Sequence, residues 1–360
     1  MSAVPPPDLD SIPGWIEEHI QLYFHENRQR FDYGELFDPL YFDLAEYVGR
    51  KGKRIRPMMM LSVYRALGGS RPLSDKSLLR CAVALEFLHA FILIHDDLID
   101  RSEKRRGLPT FHKMVEARLV PLDGRERVGQ NVAMVIGDML FSMAIDALNQ
   151  ADFDPAVMQN LMRRFLGYVV DTGAGEIYDI LLGVRDITRS SGDDIRRTYL
   201  LKTTRYTFEA PSVLGAVLAG ASEEKTILLQ KASEPLGLAF QIQNDLQEFA
   251  HFDPSDLLMS ADLLEGKKTL LLRSAFDSLS DPDRSFLQMC LASGQNNEAT
   301  ILKIRDLIIR SGAPARLQAQ VAELFTESES VLLHGGLSPA ESSGLLAAIH
   351  QVRQQVKASA

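Results

Sequence analysis

Between Ala82 and Ile94 only Glu86 and His89 are strongly polar, and this run leads directly into His95-Asp96-Asp97-Leu98-Ile99-Asp100. A stretch this apolar is stable as a helix only when most of its circumference is buried, so it predicts a core helix. If the helix continues into the acidic residues, Asp96 and Asp100 project from one face, one turn apart, and Asp97 is offset to the side. Three carboxylates at the end of a buried helix repel one another and lose hydration, so a cation should offset them. Mg²⁺ suits this role, because it takes one or two carboxylates and completes its shell with substrate phosphates and water. The competing reading is a solvated acidic helix end.

The rest of the chain supports an all-α fold. Helical periodicity continues from Trp15 onward, and alternating Val-Ile-Thr runs that would suggest strands are missing. Helices are expected at about 14–28, 38–50, 55–67, 74–95, 112–119, 128–150, 155–181, 193–219, 223–250, 260–278, 283–293, 296–311, 313–333 and 338–357. Residues 1–13, which hold four prolines, are expected to be a flexible lead-in, and 14–360 a single all-α domain. Net charge is −9, which argues against nucleic-acid binding. Cys81 and Cys290 lack CxxC spacing and fit reduced, buried thiols of a cytoplasmic protein. The N-terminal residues show no secretory signal, and no apolar run reaches the ~18 residues of a transmembrane segment.

Three basic clusters accompany the acidic one. They are Lys51-Gly52-Lys53-Arg54-Ile55-Arg56-Pro57, the set Arg101, Lys104, Arg105 and Arg106, and Lys202-Thr203-Thr204-Arg205. Each alone reads as a solvated basic face. Beside an aspartate-rich segment in a net-acidic protein, they also suit a metal-bridged diphosphate, whose oxygens Arg and Lys bind through charge-assisted hydrogen bonds.

Leu88-His89 and His95-Asp96-Asp97-Leu98-Ile99-Asp100, followed by Arg105-Arg106-Gly107-Leu108-Pro109-Thr110, closely resemble the trans-isoprenyl diphosphate synthases, also called polyprenyl synthetases. Gly52-Lys53-Arg54-Ile55-Arg56-Pro57, Gly137-Asp138, Lys202-Thr203, Phe240-Gln241 and Glu265-Gly266-Lys267-Lys268-Thr269 follow in that family's order, over about residues 45–275. The resemblance implies a single large helical bundle of isoprenoid synthase type around a deep central cavity. It implies that Asp96 and Asp100, with Asp97 supporting, hold Mg²⁺ bridging an allylic diphosphate, and that Asn244, Asp245 and Glu248 supply the second metal motif. Arg105, Lys202, Thr203, Gln241 and Lys267 would contact the allylic diphosphate, with Asp96, Asp100, Lys202 and Arg105 central to catalysis. Lys53, Arg56, His89 and Arg106 would grip isopentenyl diphosphate. Phe91 and Ile92, just before the first motif, would limit product length, although Phe91 also fits plain core packing.

The implied activity is condensation of isopentenyl diphosphate with an allylic diphosphate to a short-chain product, geranylgeranyl diphosphate first and farnesyl diphosphate second, by a homodimer. The sequence departs from the family at three places. Asn244 and Glu248 stand where aspartates are expected, the lysine that should precede Asp262 in the later GKxxGxD segment is missing, and Glu176 replaces a glutamine. These changes keep two alternatives open. One is a class I terpene cyclase, which Glu248 and Phe252 disfavour at positions where that family differs. The other is a catalytically weakened regulatory subunit of a heteromeric synthase.

Overall fold

Ile12, Ile16 and Ile20, then Tyr23, Phe24 and Asn27, recur at three- and four-residue steps and form the buried face of α1 (Ile12–Arg30) in a computed structural model of the chain. The structure describes residues 11–105, 107–250, 267–293 and 298–357. Arg106, Phe252, Asp262, Glu265 and Gly266 therefore lie outside the described residues. Helix α1 begins inside the expected 1–13 lead-in, because Pro13 suits a first helical turn and Ile12 is buried. The chain divides into two compact units, Met1–Met162 and Arg163–Ala360.

In the first unit, α2 (Asp38–Gly49) and α3 (Ile55–Ala66) precede α4 (Lys76–Ile99). Asp75 caps α4 by accepting a hydrogen bond from the Leu78 amide at 3.0 Å. Burial runs around the whole circumference from Leu78 to Leu88, as its composition requires. The helix extends past the expected end at 95 and carries Asp96 and Asp97 within it, with Asp100 as its C-cap. A two-residue hairpin follows, pairing β1 (Lys104–Arg105) with β2 (Leu108–Pro109). Its turn contains Gly107, whose φ of +77° is open to glycine at little cost. Helix α5 (Phe111–Arg118) leads into α6 (Arg125–Asn149), which packs along α4. The two come close together at Gly137, where the His95 ring occupies the space a Cβ would need.

Both α4 and α6 are long and apolar enough to cross a membrane by length and composition, which corrects the sequence expectation that no such stretch exists. That expectation counted uninterrupted apolar runs, whereas α4 passes through its few polar residues; most of α4's apolar stretch is buried in protein.

The second unit takes in α7 (Pro155–Gly183) from Arg163 onward, then α8 (Gly192–Tyr199) and α9 (Ala210–Leu218). The expected continuous helix 193–219 is interrupted by a π-helical segment, Leu200–Glu209, that contains Lys202 and Thr203. Next comes α10 (Glu223–Ala250), with Pro235 inside it, followed by α11 (Leu270–Ser278). Residues 267–269 are not helical, although a helix was expected from 260: Thr269 is the N-cap, accepting from the Leu272 amide at 3.2 Å. The remaining helices are α12 (Asp281–Ser293), α13 (Glu298–Arg310), α14 (Ala313–His334) and α15 (Pro339–Lys357). Helix α14 packs along α10, where the buried Ser328 hydroxyl donates to the Ala232 carbonyl at 2.7 Å.

Candidate active site

The first acidic motif is held by its second residue. Asp97 is only 1% exposed, and both of its oxygens accept hydrogen bonds. Arg105 Nε donates to Oδ1 at 2.7 Å and the Tyr47 hydroxyl to Oδ2 at 3.3 Å. The β-hairpin folds Arg105 back over the end of α4, where a second nitrogen reaches Asp96 Oδ2 at 2.8 Å. Burial pushes the Asp97 carboxyl above the usual carboxylate range, although the guanidinium pulls the other way. Burial also raises the Tyr47 phenol, with Asp97 beside it reinforcing the shift. Asp96, one residue earlier, is half-buried, and so is Asp100.

Local backbone geometry explains why the hairpin lands there. Arg101, just past the helix, has φ +54°, a left-handed conformation that turns the chain sharply. Thr110, fully buried, donates to the Ser102 carbonyl at 2.9 Å, and its amide donates to the Glu103 carbonyl at 3.0 Å. Arg50 closes the other side by donating to the Pro109 carbonyl at 2.8 Å.

In the basic segment before α3, Arg54 turns inward. Its guanidinium pairs with Glu86 of α4 and donates to the Arg50 carbonyl at 2.7 Å and the Val48 carbonyl at 3.3 Å. One of the two polar residues in the apolar run is thus the anchor for a loop. Lys53 next to it is exposed, Arg56 is buried, and His89 is half-buried one turn after Glu86 on α4. Phe91 stacks edge-on with His95 at 4.8 Å between ring centroids and meets Phe141 of α6 at 5.6 Å. Ile92, four residues before Asp96, shares that residue's side of the helix.

The second unit repeats the same plan. In Asn244-Asp245-Leu246-Gln247-Glu248 the second residue is again a buried carboxylate, with Asp245 6% exposed. The Tyr199 hydroxyl donates to one oxygen of Asp245, and Gln241 Nε2 donates to the other at 2.9 Å. Tyr199 also accepts from the Leu270 amide at 3.0 Å, and the Thr203 hydroxyl donates to Gln241 Oε1 at 3.0 Å. Asn244 is half-buried and Glu248 exposed. In each motif, therefore, a tyrosine hydroxyl and a nitrogen donor lock the second residue.

Lys202, in the π-helical segment, places its ammonium between two carboxylates of α7, Asp179 at 2.7 Å and Glu176 at 2.9 Å. Next to it Arg205 pairs with Asp171 at 2.6 Å. The two helices come this close because Gly175 sits against the backbone of Leu201 and Lys202, where a Cβ would collide. A π-helical turn inserts a residue into the helical register, and such turns occur often at functional sites. Lys267 is half-buried. Lys268 is buried and donates to the Gly183 carbonyl at 2.9 Å; burial lowers its pKa from the ordinary lysine value.

The donors fit a hard divalent cation. Asp96 and Asp100 supply oxygen only, on one side of α4. Among the described residues no three acidic, histidine or cysteine side chains converge tightly enough to hold a metal unaided. The sequence pattern singles out the acidic and basic residues but not Tyr47, Tyr199, Asp179 or the Arg54–Glu86 pair. Asp179 did carry a signal, since it lies three residues after Glu176 and hence on the same helical side.

The polyprenyl synthetase family model matches residues 38–308. A geranylgeranyl diphosphate synthase of Methanosarcina mazei is 29% identical over 244 residues, covering 67% of this chain and 68% of its own length. A farnesyl diphosphate synthase of Geobacillus stearothermophilus is 33% identical over 202 residues, covering 54% of this chain and 61% of its own. Among solved structures, a geranylgeranyl pyrophosphate synthase of Corynebacterium glutamicum, complexed with isoprenyl diphosphate and magnesium, superposes with a TM-score of 0.84. That match has 27% identity and covers 95% of this chain and 98% of the other. With its all-α isoprenoid synthase fold and its two acidic motifs, the chain belongs to the polyprenyl synthetase family.

Proposed function

We propose that this protein is a Mg²⁺-dependent prenyltransferase that condenses isopentenyl diphosphate with an allylic diphosphate, making geranylgeranyl diphosphate in preference to farnesyl diphosphate. The observation that carries the reading is the shared design of the two motifs, in which Asp97 and Asp245 are each locked by a tyrosine hydroxyl and a nitrogen donor. Membership of the family and the names of its relatives support the reaction class.

In this reading Asp96 and Asp100 face the metal, Asp97 holds them in place, and Asn244, Asp245 and Glu248 form a weaker second motif. Bound Mg²⁺ supplies positive charge for the diphosphate as it leaves the allylic carbon. Arg105, Lys202, Thr203, Gln241 and Lys267 hold and neutralise that group as it departs. Lys53, Arg56, His89 and Arg106 seat isopentenyl diphosphate, whose double bond attacks the allylic cation; the new cation then loses a proton to the released diphosphate, which restores a double bond. The apolar residues around the chain-length pair, Phe91 and Ile92, exclude water that would otherwise quench the cation. We place the enzyme in the cytoplasm as one helical domain from α1 onward and as a homodimer.

Purified protein given Mg²⁺, labelled isopentenyl diphosphate and geranyl or farnesyl diphosphate tests the reading. Phosphatase treatment should then release extended prenyl alcohols. Hydrocarbon from the allylic diphosphate alone would instead favour a cyclase, and no extension from any primer would reject prenyl transfer.

A further inference from the structure

Glu176 and Asp179 stand three residues apart on α7, and both carboxylates lie within 3 Å of the single ammonium of Lys202. The three side chains are about one-fifth exposed, so solvent and salt screen them less than surface charges. The contact of Gly175 with the Lys202 backbone keeps the lysine's base against α7, within reach of both carboxylates. A diphosphate reaching Lys202 therefore has to take the ammonium from two anions already bonded to it. It also has to approach two carboxylates of its own sign, which repel it at separations of a few ångströms in this partly solvated site.

We propose that Glu176 is a positioning residue that holds Lys202 against α7 and thereby weakens the enzyme's hold on the allylic diphosphate. The inference rests on the reading of Lys202 as a diphosphate contact. Glutamine has the shape of glutamate without its charge, so Glu176→Gln removes one competing anion. Asp179 continues to orient the ammonium.

Isothermal titration calorimetry of the full-length protein with inorganic pyrophosphate and Mg²⁺ measures the effect directly. Glu176→Gln should bind about three- to tenfold more tightly than wild type, a change of the size expected for one nearby charge. Glu176→Asp, which keeps the charge, should return toward wild-type affinity. In steady-state assays the KM for farnesyl diphosphate should fall in Glu176→Gln by a similar factor, with kcat unchanged or lower. In a Lys202→Met background the Glu176→Gln effect should shrink to less than twofold, because the two residues act as a unit. Unchanged or weaker binding by Glu176→Gln, or an effect undiminished without Lys202, overturns the proposal. If Lys202→Met alone leaves pyrophosphate binding and turnover at wild-type levels, it is instead the underlying role of Lys202 that fails.

Discussion

Single residues decide where this site's charges point. Asp97 and Glu86 are both buried carboxylates of α4, and each is bonded to a buried or half-buried arginine. A buried ion pair is costly to break from one side only, because the remaining charge stays desolvated. Glu86→Ala should therefore destabilise the protein by about 3–5 kcal/mol in urea denaturation, and the double variant Glu86→Leu/Arg54→Met should recover much of that loss. Phe91 belongs to the chain-length proposal: Phe91→Ala should shift the product profile toward longer prenyl alcohols, and an unchanged profile would return Phe91 to plain core packing. The acidic residues were legible in the sequence because carboxylates four apart at the end of an apolar helix repel one another and call for a cation. Tyr47 and Tyr199 were not, since an aromatic ring at a core position conceals a hydroxyl whose partner is distant in sequence.

Helix positions were largely legible as well, because helices such as α1 bury a stripe with a 3.6-residue period, while α4 is apolar nearly all round. Two local elements escaped that signal. The hairpin at residues 104–109 is too short to alternate, and its position depends on Thr110, Arg50 and the turn at Arg101. The π-helical segment 200–209 keeps the hydrophobic pattern of its neighbours, so periodicity alone gives one helix from 193 to 219. Its place is fixed instead by contacts from α7: Lys202 with Glu176 and Asp179, Arg205 with Asp171, and the bare backbone of Gly175. Gly175→Ala would press a methyl group into backbone atoms that cannot yield. It should destabilise the protein by about 1–3 kcal/mol in thermal or urea unfolding and reduce prenyl transfer along with it.

At the level of the whole molecule, α7 presents an apolar seam to solvent. Leu166, Val170, Ile177 and Ile180 are exposed at heptad-like steps, with Gly173 filling the one missing position and Val184 just beyond the helix end. Spacing of this kind suits packing against another helix, with glycine allowing a close approach. It supports the proposed homodimer, so light scattering after size exclusion should give twice the chain mass for wild type and the monomer mass for Val170→Glu/Ile177→Glu. Equal masses for the two proteins would leave the seam without that role.

Metal-dependent prenyl transfer that runs from the first acidic motif, with the second contributing less, has a distinct kinetic signature. It is read from initial rates of labelled isopentenyl incorporation into farnesyl diphosphate for wild type, Asp96→Ala and Asn244→Ala, with Mg²⁺ and with chelator. Wild type should elongate the primer only with the metal, Asp96→Ala should lose at least about 100-fold, and Asn244→Ala should lose considerably less. Equal losses in the two variants, or elongation that Asp96→Ala leaves intact, would contradict that division of labour.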